Sequence, residues 1–157
     1  MTALAFYKGK GNWLDWAIRL VTRSTYSHVE LLTNQCADDH FICWSSSARD
    51  GGVRIKSISL NLEHWDIVSI DWYPGEIVEI FEQHFGASYD YMGIVFSQFF
   101  NFRRQDNKRW FCSEICATAL GLPSPESYSP GSLKLAVEKL NQVHSQGKCE
   151  SARASFL

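Results

Sequence analysis

Short runs in which apolar and polar residues alternate predict β-strands over the first half of the chain. The predicted strands are 3–7, 27–33, 41–44, 53–58 and 65–70. In the second of them, the alternation places His28 and Glu30 on one face and Val29 and Leu31 on the other. A polar turn of moderate length separates the second and third strands, so these two are expected to form a hairpin.

Helical spacing of apolar residues follows the first strand and dominates the second half of the chain. The predicted helices are 13–21, 77–85, 91–99, 112–120 and 130–141. The first is so crowded with apolar residues, among them Trp13, Trp16 and Leu20, that we expect it to be buried on more than one side. Gly121 and Pro123 end the fourth helix, in the usual order of C-terminal signals.

Length and composition fit one domain with a polar end. The chain has 157 residues, of which 45% are apolar and 20% charged, and these values exclude a disordered or low-complexity protein. We expect a single domain over residues 1–142. Residues 143–157 are predicted to form a polar, mobile C-terminal tail.

Charge and hydropathy narrow the range of partners. The formal net charge of -2 gives no overall positive field, so no nucleic-acid partner is expected. No apolar run approaches the roughly 18 residues of a transmembrane helix, and no signal peptide is recognised at the N-terminus. The five cysteines are an odd number, as expected for free thiols in a reducing cytoplasm. The sequence leaves the oligomeric state open.

Cys112 is the leading candidate for a nucleophile because it lies in the first turn of a predicted helix. Backbone N–H groups and the positive end of the helix dipole favour the thiolate there. A thiol hydrolase also needs an imidazole within hydrogen-bond distance of the sulfur, and a third polar group that orients the imidazole. His28 is the natural partner, but the spacing alone does not show that the two residues meet. A buried structural cysteine is the alternative.

Four segments, in this order along the chain, carry a resemblance to a known superfamily. They are SHVEL at 27–31, GGVRI at 51–55, YDYMGI at 89–94 and FCSE at 111–114. Together they resemble the circularly permuted branch of the NlpC/P60 papain-like superfamily. This branch includes YaeF/YiiX-type amidases, YycO-like proteins and, more distantly, lecithin-retinol acyltransferase. In this branch the His strand precedes the Cys helix, as it does here. Many similar proteins of the branch are found in phages and prophages, so the resemblance implies a phage origin.

The resemblance implies an α+β protein with a circularly permuted papain-like (NlpC/P60) fold. An antiparallel sheet of about five strands would then pack against the nucleophile helix. Cys112 would be the nucleophile, and His28 would be the general base. The sequence does not name the second oxyanion donor, but the backbone N–H of Cys112 is the expected first one.

The third catalytic position departs from the family pattern. The family places a polar residue on the strand after the His strand, where this sequence has Cys43 and, two residues on, Ser45. A thiol is a poor partner for an imidazolium, so Glu30, on the same face as His28, is the preferred orienting residue, and Asp90 is a further candidate. Residues two apart on a strand are about 7 Å apart, so the contact between Glu30 and His28 is expected to be longer than ideal.

A zinc site is an alternative role for the cysteines. Cys36, His40 and Cys43 are clustered, and Cys112 and Cys116 are one helical turn apart. Neither spacing matches the paired C-x2-C motif of structural zinc sites, so no metal is expected.

An anion-binding loop is the second alternative. The basic residues Arg103, Arg104, Lys108 and Arg109 alternate with aromatic ones, as in proteins that bind single-stranded nucleic acid. The net charge favours a solvated loop, or a loop beside the active site that binds an anionic substrate such as a peptidoglycan peptide. An acyl lipid is a further candidate substrate, because lipid acyltransferases related to this family use the same cysteine thioester.

These observations predict a cysteine-dependent hydrolase that cleaves an amide or peptide bond through a Cys112 acyl-enzyme, with His28 as general base. No metal or organic cofactor is implied, and the predicted location is the cytoplasm, that of the host if the protein is phage-encoded. One alternative is an inactive or repurposed papain-like module that binds a peptide, a lipid or a host partner. The other is a thioester-forming acyltransferase.

Overall fold

The computed structural model describes residues 2–36, 40–72, 77–89 and 109–154. Its strands are β1 (Ala3–Tyr7), β2 (His28–Gln35), β3 (His40–Ser47), β4 (Gly52–Ser59), β5 (Trp65–Ser69), β6 (Ser88–Tyr89) and β7 (Arg109–Trp110). Its helices are α1 (Trp13–Thr22), α2 (Ile77–Gln83), α3 (Cys112–Ala119) and α4 (Pro130–Ala154), with a short 3-10 helix at Pro125–Ser127. These elements confirm the predicted α+β class.

The strands form one sheet in the order β5-β1-β2-β3-β4-β6-β7. The first five strands along the chain pair antiparallel, as the alternating pattern predicts. The two-residue strands β6 and β7 extend the sheet beyond β4 and run parallel to each other. Strand β2, which contains His28 and Glu30, therefore has a partner strand on both sides.

Helix α3 packs against β2 and β3 and is buried along most of its length. Ile115, Cys116 and Ala119 join Val29 and Leu31 of β2 in the main hydrophobic core. Because apolar side chains attach the helix to the sheet, the position of its first residue is determined by core packing.

Helix α1 differs from the prediction that it is buried on more than one side. Asp15 and Ile18 are its buried residues. Trp13, Trp16 and Leu20 are 77%, 64% and 60% exposed. An apolar stripe of this helix therefore points away from the protein, while Ile18 joins the main core.

Polar contacts attach the inner side of α1. Asp15 accepts a hydrogen bond of 2.9 Å from the Ser27 hydroxyl and one of 2.6 Å from Arg49. Arg19 donates to the Ser27 hydroxyl at 3.1 Å and also to the carbonyl oxygen of Gly9. Since apolar residues fill most positions of this helix in the sequence, their pattern does not distinguish its attached side from its exposed side.

Helix α4 begins at Pro130, as predicted, but continues to Ala154 instead of ending near Asn141. Residues 143–154, predicted to be a mobile tail, are thus helical. The helix predicted over 91–99 and residues 101–108 of the basic loop lie outside the described residues. Within the described ranges, no helix is both long enough and apolar enough to cross a membrane.

Candidate active site

Cys112 is the first residue of α3, and contacts on both sides of it fix the start of that helix. Ser46 in β3 donates a hydrogen bond of 2.7 Å to the carbonyl oxygen of Trp110. The backbone N–H of Phe111 donates a hydrogen bond of 3.3 Å to the Glu114 carboxylate. Cys112 itself is fully buried, with an exposed fraction of 0%. The thiol thus lies at the positive end of a helix dipole, in a packed environment.

His28 is the first residue of β2, and its imidazole interacts with both other predicted site residues. Its Nε2 lies 2.7 Å from Oε1 of Glu30, and the neighbouring Cys112 side chain raises the pKa of the imidazole. Because Glu30 occupies Nε2, Nδ1 is the nitrogen available to the thiol. The Trp65 ring stands edge-on to the imidazole, with 6.4 Å between the ring centroids.

The contact between His28 and Glu30 is closer than the strand spacing suggests. Their Cα atoms are separated by the distance of two strand residues, about 7 Å. The side chains of both residues are long enough to close this gap to the observed 2.7 Å. The structure therefore brings the three predicted residues together in the order thiol, imidazole, carboxylate.

Glu30 is a buried carboxylate that also binds Arg54 of β4. Its two oxygens accept hydrogen bonds of 2.6 Å and 2.7 Å from the guanidinium group. Arg54 in turn donates a hydrogen bond of 2.8 Å to Asp50, which also accepts one of 3.1 Å from Lys56. This bidentate geometry fixes the orientation of the carboxylate and neutralises its buried charge.

Small residues on the neighbouring strands leave space for this ion pair. Glu30 is paired with Ala5 in β1, and Arg54 is paired with Ser45 in β3. Paired residues in an antiparallel sheet point to the same face, so Arg54 extends past the short Ser45 side chain to reach β2. The Ser45 hydroxyl donates to the carbonyl oxygen of Val29 at 2.6 Å and so stays close to the backbone.

The surroundings of His28 favour its protonated form. Burial alone lowers the pKa of the imidazole, but the negative charges of Cys112 and Glu30 and their hydrogen bonds outweigh it and raise the pKa to about 10. An imidazolium beside the sulfur is the form that stabilises a thiolate.

The acidic groups of this cluster have lowered pKa values. Burial raises the pKa of Glu30, but the charges and hydrogen bonds of His28 and Arg54 more than compensate and lower it overall. Asp50 loses some solvation too, yet Arg54 and Lys56 lower its pKa to about 2. The pKa of Arg54 is raised, because contacts with Glu30 and Asp50 outweigh its burial.

The other buried cysteines have environments that favour the neutral thiol. Burial, followed by the charge of Glu30, raises the pKa of Cys43 to about 12. The pKa of Cys116 is also raised, first by burial and then by the charge of Cys112. Cys36 is exposed. Among the described residues, no group of three or more His, Cys, Asp or Glu side chains is arranged to bind a metal ion.

The other candidates for the third position are engaged elsewhere or not described. The Cys43 thiol donates to the carbonyl oxygen of Phe41 at 3.3 Å, and it packs in a second, smaller apolar cluster. Ser45 bonds to the backbone of β2, as described above. Asp90 lies outside the described residues, as do the basic residues 103, 104 and 108.

A cleft of about 380 Å³ lies beside the imidazole. His28, Glu30 and Arg54 line it, together with Asp15 of α1 and Trp65 of β5. Cys112 does not line this cleft. A molecule bound there contacts the imidazole and the carboxylate directly, whereas the thiol is covered.

Sequence reasoning missed Arg54 and Asp50. The resemblance included Arg54 in the GGVRI segment, and Asp50 was assigned only to the turn before it. A signal was present nonetheless: Glu30 lies in an otherwise apolar part of β2, and a buried carboxylate requires a cationic partner.

Comparison with known proteins gives no independent assignment. No family model matches the chain, and no curated protein matches it at a significant level. Functional inference therefore rests on the chain's own motifs and geometry.

Proposed function

We propose that this chain is a cysteine-dependent hydrolase of the circularly permuted papain-like fold, which cleaves an amide or peptide bond. The observation that supports it most directly is the imidazole of His28, which lies 2.7 Å from the Glu30 carboxylate and whose pKa the neighbouring Cys112 side chain raises. Nucleophile, base and orienting group are the three components that thiol hydrolysis needs.

In the proposed reaction, the Cys112 thiol transfers its proton to His28 before the substrate reacts, which gives the imidazolium form that the raised pKa of His28 favours. The thiolate then attacks the carbonyl carbon of the substrate. The backbone N–H of Cys112, at the start of α3, is the proposed donor to the developing oxyanion. His28 then returns the proton to the leaving amine as the C–N bond breaks, which leaves a thioester on Cys112. His28 next deprotonates a water molecule, and hydroxide attack releases the acid and restores the thiol.

Glu30 contributes to these reaction steps through His28. Its carboxylate accepts a hydrogen bond from Nε2, which directs Nδ1 toward the sulfur, and its charge stabilises the imidazolium that forms in each step. Arg54 limits the movement of the carboxylate through two hydrogen bonds.

The proposed substrate is a peptide- or amide-containing molecule, such as a peptidoglycan peptide, and an acyl lipid would form the same thioester. The proposed location is the cytoplasm, that of the host if the protein is phage-encoded. The free thiols of Cys36, Cys43, Cys112 and Cys116 are compatible with a reducing compartment.

A non-catalytic binding module is the second candidate, and one observation favours it. Cys112 is fully buried and does not line the cleft beside His28. In this case the thiol, imidazole and carboxylate form a structural network, and the cleft binds a peptide or another partner without covalent chemistry.

Alkylation by iodoacetamide between pH 5 and 10, read at each cysteine by mass spectrometry, separates these candidates. We expect Cys112 to react fastest near neutral pH, and its rate to fall at least about tenfold in His28→Gln and His28→Ala. Cys116, one helical turn further along α3, is the matched buried control, and exposed Cys36 gives the reference rate. If Cys112 reacts as slowly as Cys116, or equally fast without His28, the hydrolase proposal is wrong.

A further inference from the structure

Three apolar side chains of α1 form one exposed stripe. Trp13, Trp16 and Leu20 are 77%, 64% and 60% exposed, and their spacing of three and four residues places them on the same helical face. Isolated exposed apolar residues are common, but two tryptophans and a leucine in one row of a short helix are an apolar patch.

Residues outside this stripe attach α1 to the protein. Asn12 and Asp15 form a capping box that fixes the start of the helix. Asp15 and Arg19 connect its inner side to Ser27 and Arg49. The outward tryptophans are therefore available to a partner while the helix stays in place.

The charges around the stripe indicate the type of partner. Residues 8–25 contain four basic residues and one acidic residue, but Lys8 is paired with Asp66 and Arg19 bonds to Ser27 on the inner side of the helix. Lys10 and Arg23, at the two ends of α1, are exposed. The one acid, Asp15, is buried and paired with Arg49, so it does not offset them at the surface.

We propose that α1 docks on an anionic lipid surface, with Trp13, Trp16 and Leu20 at headgroup level and Lys10 and Arg23 against the lipid phosphates. Tryptophan prefers this interface because its ring is apolar and its N–H is polar, and basic residues bind anionic headgroups. Membrane docking in this form requires no spanning helix.

Docking would also orient the cleft. Asn12, Leu14, Asp15 and Ile18 of the α1 region line the cleft that His28 borders. A lipid-bound α1 would therefore hold the cleft close to the membrane surface. The docking itself does not depend on the hydrolase activity proposed above.

Co-flotation of the full chain with vesicles of equal parts phosphatidylcholine and phosphatidylglycerol tests the proposal. We expect binding that weakens with added salt and is lower on phosphatidylcholine alone. In Trp13→Gln/Trp16→Gln, the affinity should fall at least about tenfold. Leu135→Gln changes a leucine of α4 that is 69% exposed, so it is the matched control and should bind as the parent does.

A second variant tests the basic residues and leaves the apolar stripe unchanged. Lys10→Ser/Arg23→Ser should reduce binding to anionic vesicles and remove most of its salt dependence. Circular dichroism checks that each variant is folded. Absence of vesicle binding by the parent, or binding that survives in Trp13→Gln/Trp16→Gln, would overturn the proposal. A parent dimer that these two substitutions dissociate, without vesicle binding, would identify a second copy of the chain as the occupant instead.

Discussion

Glu30 is a buried carboxylate that interacts with two neighbouring side chains, His28 and Arg54. It accepts hydrogen bonds from His28 and from Arg54. Replacing it with Gln keeps the shape but removes the charge. We expect Glu30→Gln to lower the pKa of His28 and to reduce the rate of Cys112 alkylation at pH 7 about tenfold. The pKa of His28 can be followed by NMR and the alkylation rate by mass spectrometry.

The same substitution should destabilise the fold, because it removes the buried one of the two carboxylates that Arg54 binds. Removing one member of a buried ion pair costs about 3 kcal/mol of unfolding free energy, measurable by urea denaturation. Glu63→Gln changes an exposed acid elsewhere and is the matched control. An unchanged alkylation rate in a folded Glu30→Gln variant would show that the carboxylate does not act on the imidazole.

At the scale of single residues, the sequence identifies the site only in part. Cys112 was recognisable from its place at a helix start, and Glu30 from the alternation that also contains His28. The role of Arg54 was not recognisable from the sequence. It depends on the register of strands β2, β3 and β4 and on the small residue Ser45 of β3, which lies between Glu30 and Arg54. Such pairings are set by tertiary structure, which local patterns do not encode.

Among the elements, α4 offers a direct test of the helix beyond Asn141. Gly147 lies within this helix and has open space around its Cα. We expect Gly147→Ala to raise the unfolding free energy by about 0.5 kcal/mol and to increase the helical signal slightly, because alanine loses less backbone entropy in a helix. Thermal denaturation followed by circular dichroism measures both effects.

Gly51→Ala is the contrasting variant for that experiment. Gly51 also has open space, but its backbone φ of +86° belongs to a region that alanine disfavours. We therefore expect it to destabilise the protein by about 1 kcal/mol. If Gly147→Ala has no effect on helicity or stability, residues 143–154 are not a stable helix in solution.

The elements show which local signals are reliable. Alternation predicts the five antiparallel strands, because half-buried strands keep a period of two. The attached side of α1 was not predictable, since Asp15 and Arg19 make polar contacts there and Ile18 enters the core, whereas other apolar residues of the helix stay exposed. The end of α4 was not predictable either, because no proline follows Pro130 and Gly147 does not interrupt the helix.

For the whole molecule, the charge cluster predicts how stability depends on pH. Glu30 and Asp50 have folded pKa values below their ordinary values of 4.5 and 3.8. The unfolded chain therefore binds protons more readily in acid. Their contribution is present above pH 4.5 and declines in acid, that of Asp50 as the pH falls through about 2.

The titration of His28 changes stability at the alkaline end of the pH range instead of the acid end. Its folded pKa of about 10 lies above its ordinary 6.5, so its contribution is complete below pH 6.5 and is lost as the pH rises through 10. We expect urea denaturation to show greatest stability between about pH 5 and 6.5. Glu30→Gln should flatten the acid side of this curve and His28→Gln the alkaline side. Parallel curves for parent and variants would contradict this assignment.

In α1, the residues proposed to recognise a partner are different from the residues that hold the helix in place. Since Trp13, Trp16 and Leu20 are not needed to hold the helix in place, substitutions there leave folding largely intact. Natural selection can therefore change what this surface recognises without passing through unstable variants. Homologous chains that bind the same surface are expected to keep apolar residues at these three positions, and those with another partner to differ there, while both keep the polar pair, Asp15 and Arg19, that holds the helix.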